Sequence, residues 1–211
     1  SAVPLFSMHG NRDFLVGKGL LDACQARLLD YPTVLLFDQR RWLLTHGDAL
    51  CIADHPYMAF RAQVRQPGFQ QGFLTMPISE RLDVARKMRE RSEAHQVGQA
   101  YSADVDTELA RHWLQAADAP VMIHGHTHKP DRHVLDPAAE PPQERWVMSD
   151  WDQAAVPPRR QLLRLSRGSG GLPRRIESGV SSTSANRRSN GMPPRSKRAD
   201  ESTSPRMDLT G

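Results

Sequence analysis

The sequence has only two cysteines, Cys24 and Cys51, and their spacing matches no metal-binding or redox motif. A disulfide framework and a cysteine-built zinc site are therefore excluded, and buried thiols in a reducing compartment are the expectation. No apolar run approaches the roughly 18 residues needed to span a bilayer, and no secretory signal is legible. Aromatic residues make up 6% of the 211 residues and apolar residues 38%, a little low for a fully globular chain. The shortage is local. From Ser166 to Gly211 the composition turns to Ser, Arg, Gly and Pro with little aromatic or β-branched content, so this tail is expected to be disordered. From Arg167 onward there are nine Lys or Arg and four Asp or Glu, leaving 19 basic and 20 acidic residues before it. The pI of 9.4 thus belongs to the tail. Because no aromatic residues interleave with the arginines of that tail, nucleic-acid binding is not expected.

What the chain does have is a histidine-rich stretch, His124-Gly125-His126-Thr127-His128, directly after the apolar residues 119–123. A short apolar run of that kind reads as a buried strand, and the end of a strand is where an open α/β fold places chemistry. On an extended backbone alternate side chains share a face, so His126 and His128 are expected to point into one cavity and suit a divalent metal. His124 reads as supporting structure. Two other strands end in the same way. Val3 to Met8 reads as a buried strand that delivers His9 and then Gly10-Asn11-Arg12-Asp13. Thr33 to Phe37 and Arg41 to Thr45 read as two strands around a turn near Asp38-Gln39, the second ending in Thr45-His46-Gly47-Asp48. Between them, Gly17 to Leu29 reads as a short helix with Leu20, Leu21, Cys24 and Leu28 on one side. Val105, Leu109 and Trp113 mark a later amphipathic helix, and Arg145 to Met148 and Gln161 to Leu165 read as short closing strands.

These clusters supply the donors that a metal-bound phosphate wants. Asn11 offers a neutral oxygen ligand, Arg12 a guanidinium that can grip phosphate oxygens bidentately, and Gly10 room for close backbone approach. Asn11, His46 and His126 would give one metal three ligands of mixed nitrogen and oxygen type, with His128 serving a neighbouring metal. Such sets favour manganese, iron or zinc over magnesium or calcium. The segment from Asp54 to Ala100 differs: Tyr57, Phe60, Phe69, Phe73 and Met76 are scattered among Arg and Gln, and a helix begins near Ser79 with Glu80 in its first turn. Leu82, Ala85, Arg89, Ser92, Gln96 and Gln99 would share one face of that helix, apolar at first and polar later. That face fits either a cap over a ligand with a polar head and a greasy tail or an ordinary surface helix.

The order Gly-Asn-Arg-Asp, then His-Gly-Asp, then Gly-His-Thr-His resembles the second half of the calcineurin-like metallophosphoesterase pattern. Within that superfamily three features are similar to the UDP-2,3-diacylglucosamine diphosphatases of lipid A biosynthesis. They are Arg12 after Asn11, the run His46 to Cys51 followed by Asp54, and the ending Trp146-Val147-Met148-Ser149-Asp150-Trp151; the pair Arg89 and Ser92 fits as well. The resemblance covers residues 1 to about 165. It implies an α/β fold, a β-sandwich flanked by helices, with a helical cap insertion over about 55–100 and the tail at 166–211 as a separate segment. It also implies a hydrolase that splits the pyrophosphate of UDP-2,3-diacylglucosamine into UMP and 2,3-diacylglucosamine 1-phosphate. Two manganese ions, about 3.5–4 Å apart as in paired-metal phosphoesterases, would activate the attacking water.

By motif position the resemblance assigns Asn11, His46 and His126 to the second ion and His128 to the first. Arg12 would bind phosphate, Asp54 and Ser92 the glucosamine head, and Tyr57, Phe60 and the cap helix the acyl chains, with Arg89, Gln96 and Gln99 as further substrate contacts. The enzyme would be cytoplasmic, peripheral on the inner face of the inner membrane, where such an amphiphile resides. The family's Asp-x-His and Gly-Asp motifs precede Gly-Asn-Arg-Asp and do not occur before Gly10 here. A fold lacking its first strand and helix, and at most one weakly bound metal with little or no activity, is therefore expected of these residues by themselves. Two alternatives stand beside this reading: a calcineurin-like phosphoesterase with another substrate, and a non-catalytic protein that only binds ligand.

Overall fold

The structure, a computed structural model, describes residues 3–98, 104–156, 158–159 and 162–167, without the side chains of 91–98. The architecture is mixed α/β. Strand β1 (Leu5–Ser7) pairs in parallel with β2 (Ala26–Leu28) in a small sheet of two. The larger sheet has five strands: β3 (Thr33–Phe37), β4 (Arg40–Leu44), β5 (Val121–His124), β6 (Arg132–Asp136) and β7 (Gln143–Val147), in the order β3-β4-β5-β7-β6. Both outer pairs are antiparallel, and the central β4, β5 and β7 run parallel. The β3–β4 hairpin turns on Asp38 and Gln39, whose φ angles of 51° and 61° are the two left-handed residues a tight primed turn demands.

Parallel strands need a long crossover, and here the link from β4 to β5 carries four helices: α1 (Lys18–Ala23) precedes the hairpin, and α2 (His55–Val64), α3 (Pro67–Thr75), α4 (Ile78–Gly98) and α5 (Thr107–Ala116) follow it. Helix α5 lays Ala110 and Leu114 against Leu43 of β4 and Met122 of β5, and with Leu50, Cys51, Val105 and Ala119 these form the buried core. Burial pushes the Cys51 thiol up to about 12, so it packs as an inert apolar group. The start of α5 is set by Asp106, whose side chain accepts from the Leu109 amide at 2.8 Å. Asp106→Ala is expected to cost about 1 kcal/mol of stability, read from the urea midpoint of unfolding.

Several elements depart from the sequence expectations. The strand at Val3 to Met8 narrows to Leu5–Ser7 and is not buried, with Leu5 and Phe6 about half exposed (53% and 48%) because only β2 flanks it. The helix expected over Gly17 to Leu29 ends at Ala23. Gln25 takes a left-handed φ of 53°, which breaks the helical path, and Ala26–Leu28 becomes strand β2. No residue of α1 is buried. Residues 162–165 form no strand; the last pairing among the described residues is an isolated bridge between Asp152 and Arg159. Strand β6 was not foreseen, since its charged run gives no apolar alternation. The expected disorder of the tail lies, from residue 168 on, outside the described residues.

Helices α2 and α3 fall within the helical cap implied over about 55–100, although no periodicity in their residues marked them. Each opens with a proline in its first turn, where the missing N–H costs nothing, and Asp54 caps α2 by accepting from the Tyr57 amide at 3.1 Å. Helix α4 begins one residue before the expected Ser79. Its apolar side is not the expected one, however: Leu82, Ala85 and Arg89 are exposed, while Val84 and Met88 turn toward α3. With Gly68, Phe69, Gly72, Phe73 and Met76 they line an apolar hollow of about 390 Å³.

Candidate metal centre

Three strand ends meet, as the motif order implied, and the sheet explains why. Because β4 and β5 are hydrogen-bonded neighbours running the same way, the loops leaving them emerge side by side; the Gly125 amide donates to the His46 carbonyl at 3.0 Å. The imidazoles of His46 and His126 stand with ring centroids 5.2 Å apart, edge to face. The loop after β1 closes on them: a Cβ on Gly10 would lie 2.8 Å from both Cδ2 and Nε2 of His46. Asn11, the next residue, is half-buried at this junction, and Arg12 is exposed.

His126 is held in an uncommon backbone state, with φ of 65°, and His128 likewise with φ of 53°. Strand β5 ends at His124, so the premise of one extended face for His126 and His128 fails. The left-handed turns send His128 to an exposed position while His126 stays largely covered. Burial, with the positive potential of His46 next, pushes the His126 imidazolium down to about 4, so the ring is neutral at neutral pH. Its Nδ1 is sealed from solvent with no hydrogen-bond partner. A buried, unpartnered nitrogen on a neutral imidazole beside a second imidazole fits the donor set of a divalent metal. Among the described residues no three His, Cys, Asp or Glu side chains gather around one point; Asn11 carries an amide on the loop that closes on His46.

His124 is structural, as its position before the pair implied. It is buried, donates from Nδ1 to the Gly125 carbonyl at 2.9 Å, and meets Arg145 Nη1 through Nε2 at 3.4 Å. Burial pushes it, too, down to about 4. Gly47, with φ of 102°, lies against that ring; a Cβ there would come within 2.8 Å of His124 Nδ1. Arg145 is itself buried and is paired with Asp104 at 3.2 Å.

The residue that sequence reasoning missed is Asp48. It is fully buried (0% exposed) and accepts from Tyr31 Oη at 2.6 Å, Tyr57 Oη at 2.7 Å and Arg61 Nε at 2.9 Å. His46 Nδ1 lies 3.3 Å from its Oδ1, an ion-pair distance without the alignment of a full hydrogen bond. Burial alone would raise the Asp48 carboxyl, but His46, Tyr31, Tyr57 and Arg61 outweigh it and hold it well below the usual carboxylate range. Tyr57 and Arg61 recur at i and i+4 on α2, a spacing visible in the sequence whose common target was not.

Of the expected substrate contacts, Tyr57 turns its hydroxyl to Asp48 and stacks its ring 5.4 Å from that of His126. Phe60 sits 6.4 Å from Tyr57, and neither is among the residues lining the apolar hollow of α3 and α4. Asp54 is engaged as the cap of α2, and Arg89 is exposed. The side chains of Ser92 and Gln96, and all of Gln99, lie outside the described residues.

No family model matches the chain. Curated relatives do. A UDP-2,3-diacylglucosamine hydrolase of Ralstonia nicotianae is 47% identical over 174 residues, covering 76% of this chain and 62% of the relative. Proteins of the same name from Bordetella parapertussis and Chromobacterium violaceum are each 45% identical, over 78% and 70% of this chain and 64% and 61% of their own. The chain is thus homologous in sequence, over about three quarters of its length, to the UDP-2,3-diacylglucosamine hydrolases, and it spans less than two thirds of theirs.

Proposed function

We propose that the chain carries the Asn11, His46 and His126 part of a metal-dependent site for hydrolysis of the pyrophosphate in UDP-2,3-diacylglucosamine, giving UMP and 2,3-diacylglucosamine 1-phosphate. The observation that supports it most directly is the pairing of the His46 and His126 imidazoles against the Gly10–Asn11 loop. The relatives' shared name supports the substrate.

Manganese, when bound, would supply the charge that polarises phosphate and lowers the pKa of a bound water. Asn11, His46 and His126 would hold one ion, and His128, on its exposed turn, would reach toward a second. His126, kept neutral by burial, offers a lone pair without competition from protons at neutral pH. Arg12, exposed beside Asn11, would grip phosphate oxygens. The apolar hollow of α3 and α4 would take an acyl chain. Contact with the inner-membrane surface follows from the substrate, which is an amphiphile; no helix among the described residues is long and apolar enough to cross a membrane.

Calorimetric titration of the chain with Mn²⁺ is expected to show weak uptake of one ion, abolished in His126→Ala. Heat that His126→Ala leaves unchanged would end the assignment, and tight uptake of two ions would overturn the single-ion stoichiometry. A hydrolysis assay of UDP-2,3-diacylglucosamine followed by UMP release tests the substrate.

A further inference from the structure

One face of α2 touches both loops of the candidate site at once. Tyr57, Arg61 and Arg65 recur every four residues along it and into its C-cap, so they share that face. Tyr57 Oη and Arg61 Nε both donate to Asp48 Oδ2, and Arg65 Nη2 stands 3.7 Å from the same oxygen. Arg65 Nη2 also donates to the Gly10 carbonyl at 2.9 Å, on the loop that carries Asn11. The other oxygen, Oδ1, accepts from Tyr31 and faces His46 Nδ1 at 3.3 Å. Asp48 therefore divides its two oxygens: one is turned to the helix and the other to the imidazole.

We propose that Asp48 and Arg65 are positioning residues, Asp48 holding His46 with its proton on Nδ1 and Nε2 turned to the Asn11 loop, and Arg65 holding that loop through the Gly10 carbonyl. The proposal rests on the reading of His46 and Asn11 as metal ligands and adds that the first helix of the cap sets their geometry. The chemistry is direct. An ionised carboxylate only accepts, so an imidazole nitrogen that bonds to it has to carry the hydrogen, which leaves the lone pair on Nε2. The edge of the ring that carries Nε2 faces Gly10: a Cβ there would lie 2.8 Å from both Nε2 and Cδ2. Carboxylates behind metal-bound histidines fix tautomer and ring orientation in this manner. A carboxylate that served only to anchor α2 would matter to stability and would not dictate which nitrogen of His46 is protonated.

The tautomer is readable by long-range proton–nitrogen-15 correlation on the metal-free 211-residue chain. The expected pattern places the proton of His46 on Nδ1. In Asp48→Asn the amide can turn its oxygen to Arg61 and its N–H to His46 Nδ1, so the tautomer is expected to reverse, with Mn²⁺ affinity in calorimetry falling about 10–100-fold. Arg65→Met is expected to keep the tautomer and lower Mn²⁺ affinity about tenfold. A proton on Nε2 in the unsubstituted chain, or an unchanged tautomer in a folded Asp48→Asn, would overturn the role of Asp48; unchanged affinity in Arg65→Met would overturn that of Arg65. Should Asp48→Asn lose its amide dispersion, the unsubstituted spectrum decides. The expected tautomer without any Mn²⁺ uptake would overturn the metal-ligand reading while upholding the orientation of His46 by Asp48.

Discussion

Asp48→Ala is expected to destabilise the folded chain by about 3–5 kcal/mol, the cost of leaving a buried ion-pair partner uncompensated. The reason lies in what remains after the carboxylate goes. Arg61, mostly covered, would keep its charge with no counter-charge at 2.9 Å, and the hydroxyls of Tyr31 and Tyr57 would lose their acceptor. Urea unfolding followed by circular dichroism measures the loss, and a change below about 1 kcal/mol would mean that water reaches this cluster freely. The same carboxylate gives a pH signature whose sign is fixed by its lowered folded-state value. A group whose pKa falls on folding adds stability that is fully present above its unfolded value, about 3.9 for Asp, and that fades as pH drops below it. The unsubstituted chain should therefore lose stability on acidification below about pH 4 more steeply than Asp48→Ala does.

Gly10→Ala is expected to weaken Mn²⁺ binding about 10–100-fold. Gly10 is not among the described glycines with left-handed φ, so alanine meets no backbone penalty there; the obstacle is space. The added methyl would lie 2.8 Å from His46 Nε2 and Cδ2 and 3.1 Å from Asp13 Oδ1, so either the ring or the Asn11 loop has to retreat. The ring is backed by Asp48 and the loop is tied to Arg65, and movement of either parts Asn11 from His46. The strain should also cost about 1–3 kcal/mol. Calorimetry beside a thermal melt separates the two effects, and undiminished Mn²⁺ affinity would show that Asn11 and His46 do not share an ion.

The elements legible in the sequence are those whose signals are local. The β3–β4 hairpin follows from two apolar runs around Asp38-Gln39, and α5 from Val105, Leu109 and Trp113. The convergence of Gly10, His46 and His126 was legible because each motif sits at the end of an apolar run, and parallel pairing of β4 with β5 does the rest. What failed depended on context. Gly17 to Leu29 has helical periodicity throughout, yet Gln25 turns left-handed and hands Ala26–Leu28 to β1. Leu82 looked like the apolar footing of α4, but the partner surface on α3 selects Val84 and Met88 one strip around. Asp48 was passed over because its partners lie 17 residues before it and 9 and 13 after, and nothing local marks them.

The adjacency of β4 and β5 has a metrical consequence. Strands in a ladder sit about 4.7–4.9 Å apart, and the 5.2 Å between the two imidazole centroids is close to that repeat. The two loops leave the sheet side by side because Trp42–Leu44 pair with Val121–Ile123, and the Gly125 amide carries that pairing on to the His46 carbonyl. Substitutions in either loop can tilt or swivel a ring, whereas parting the loops' starting points would require unzipping Leu43 and Leu44 from Met122 and Ile123.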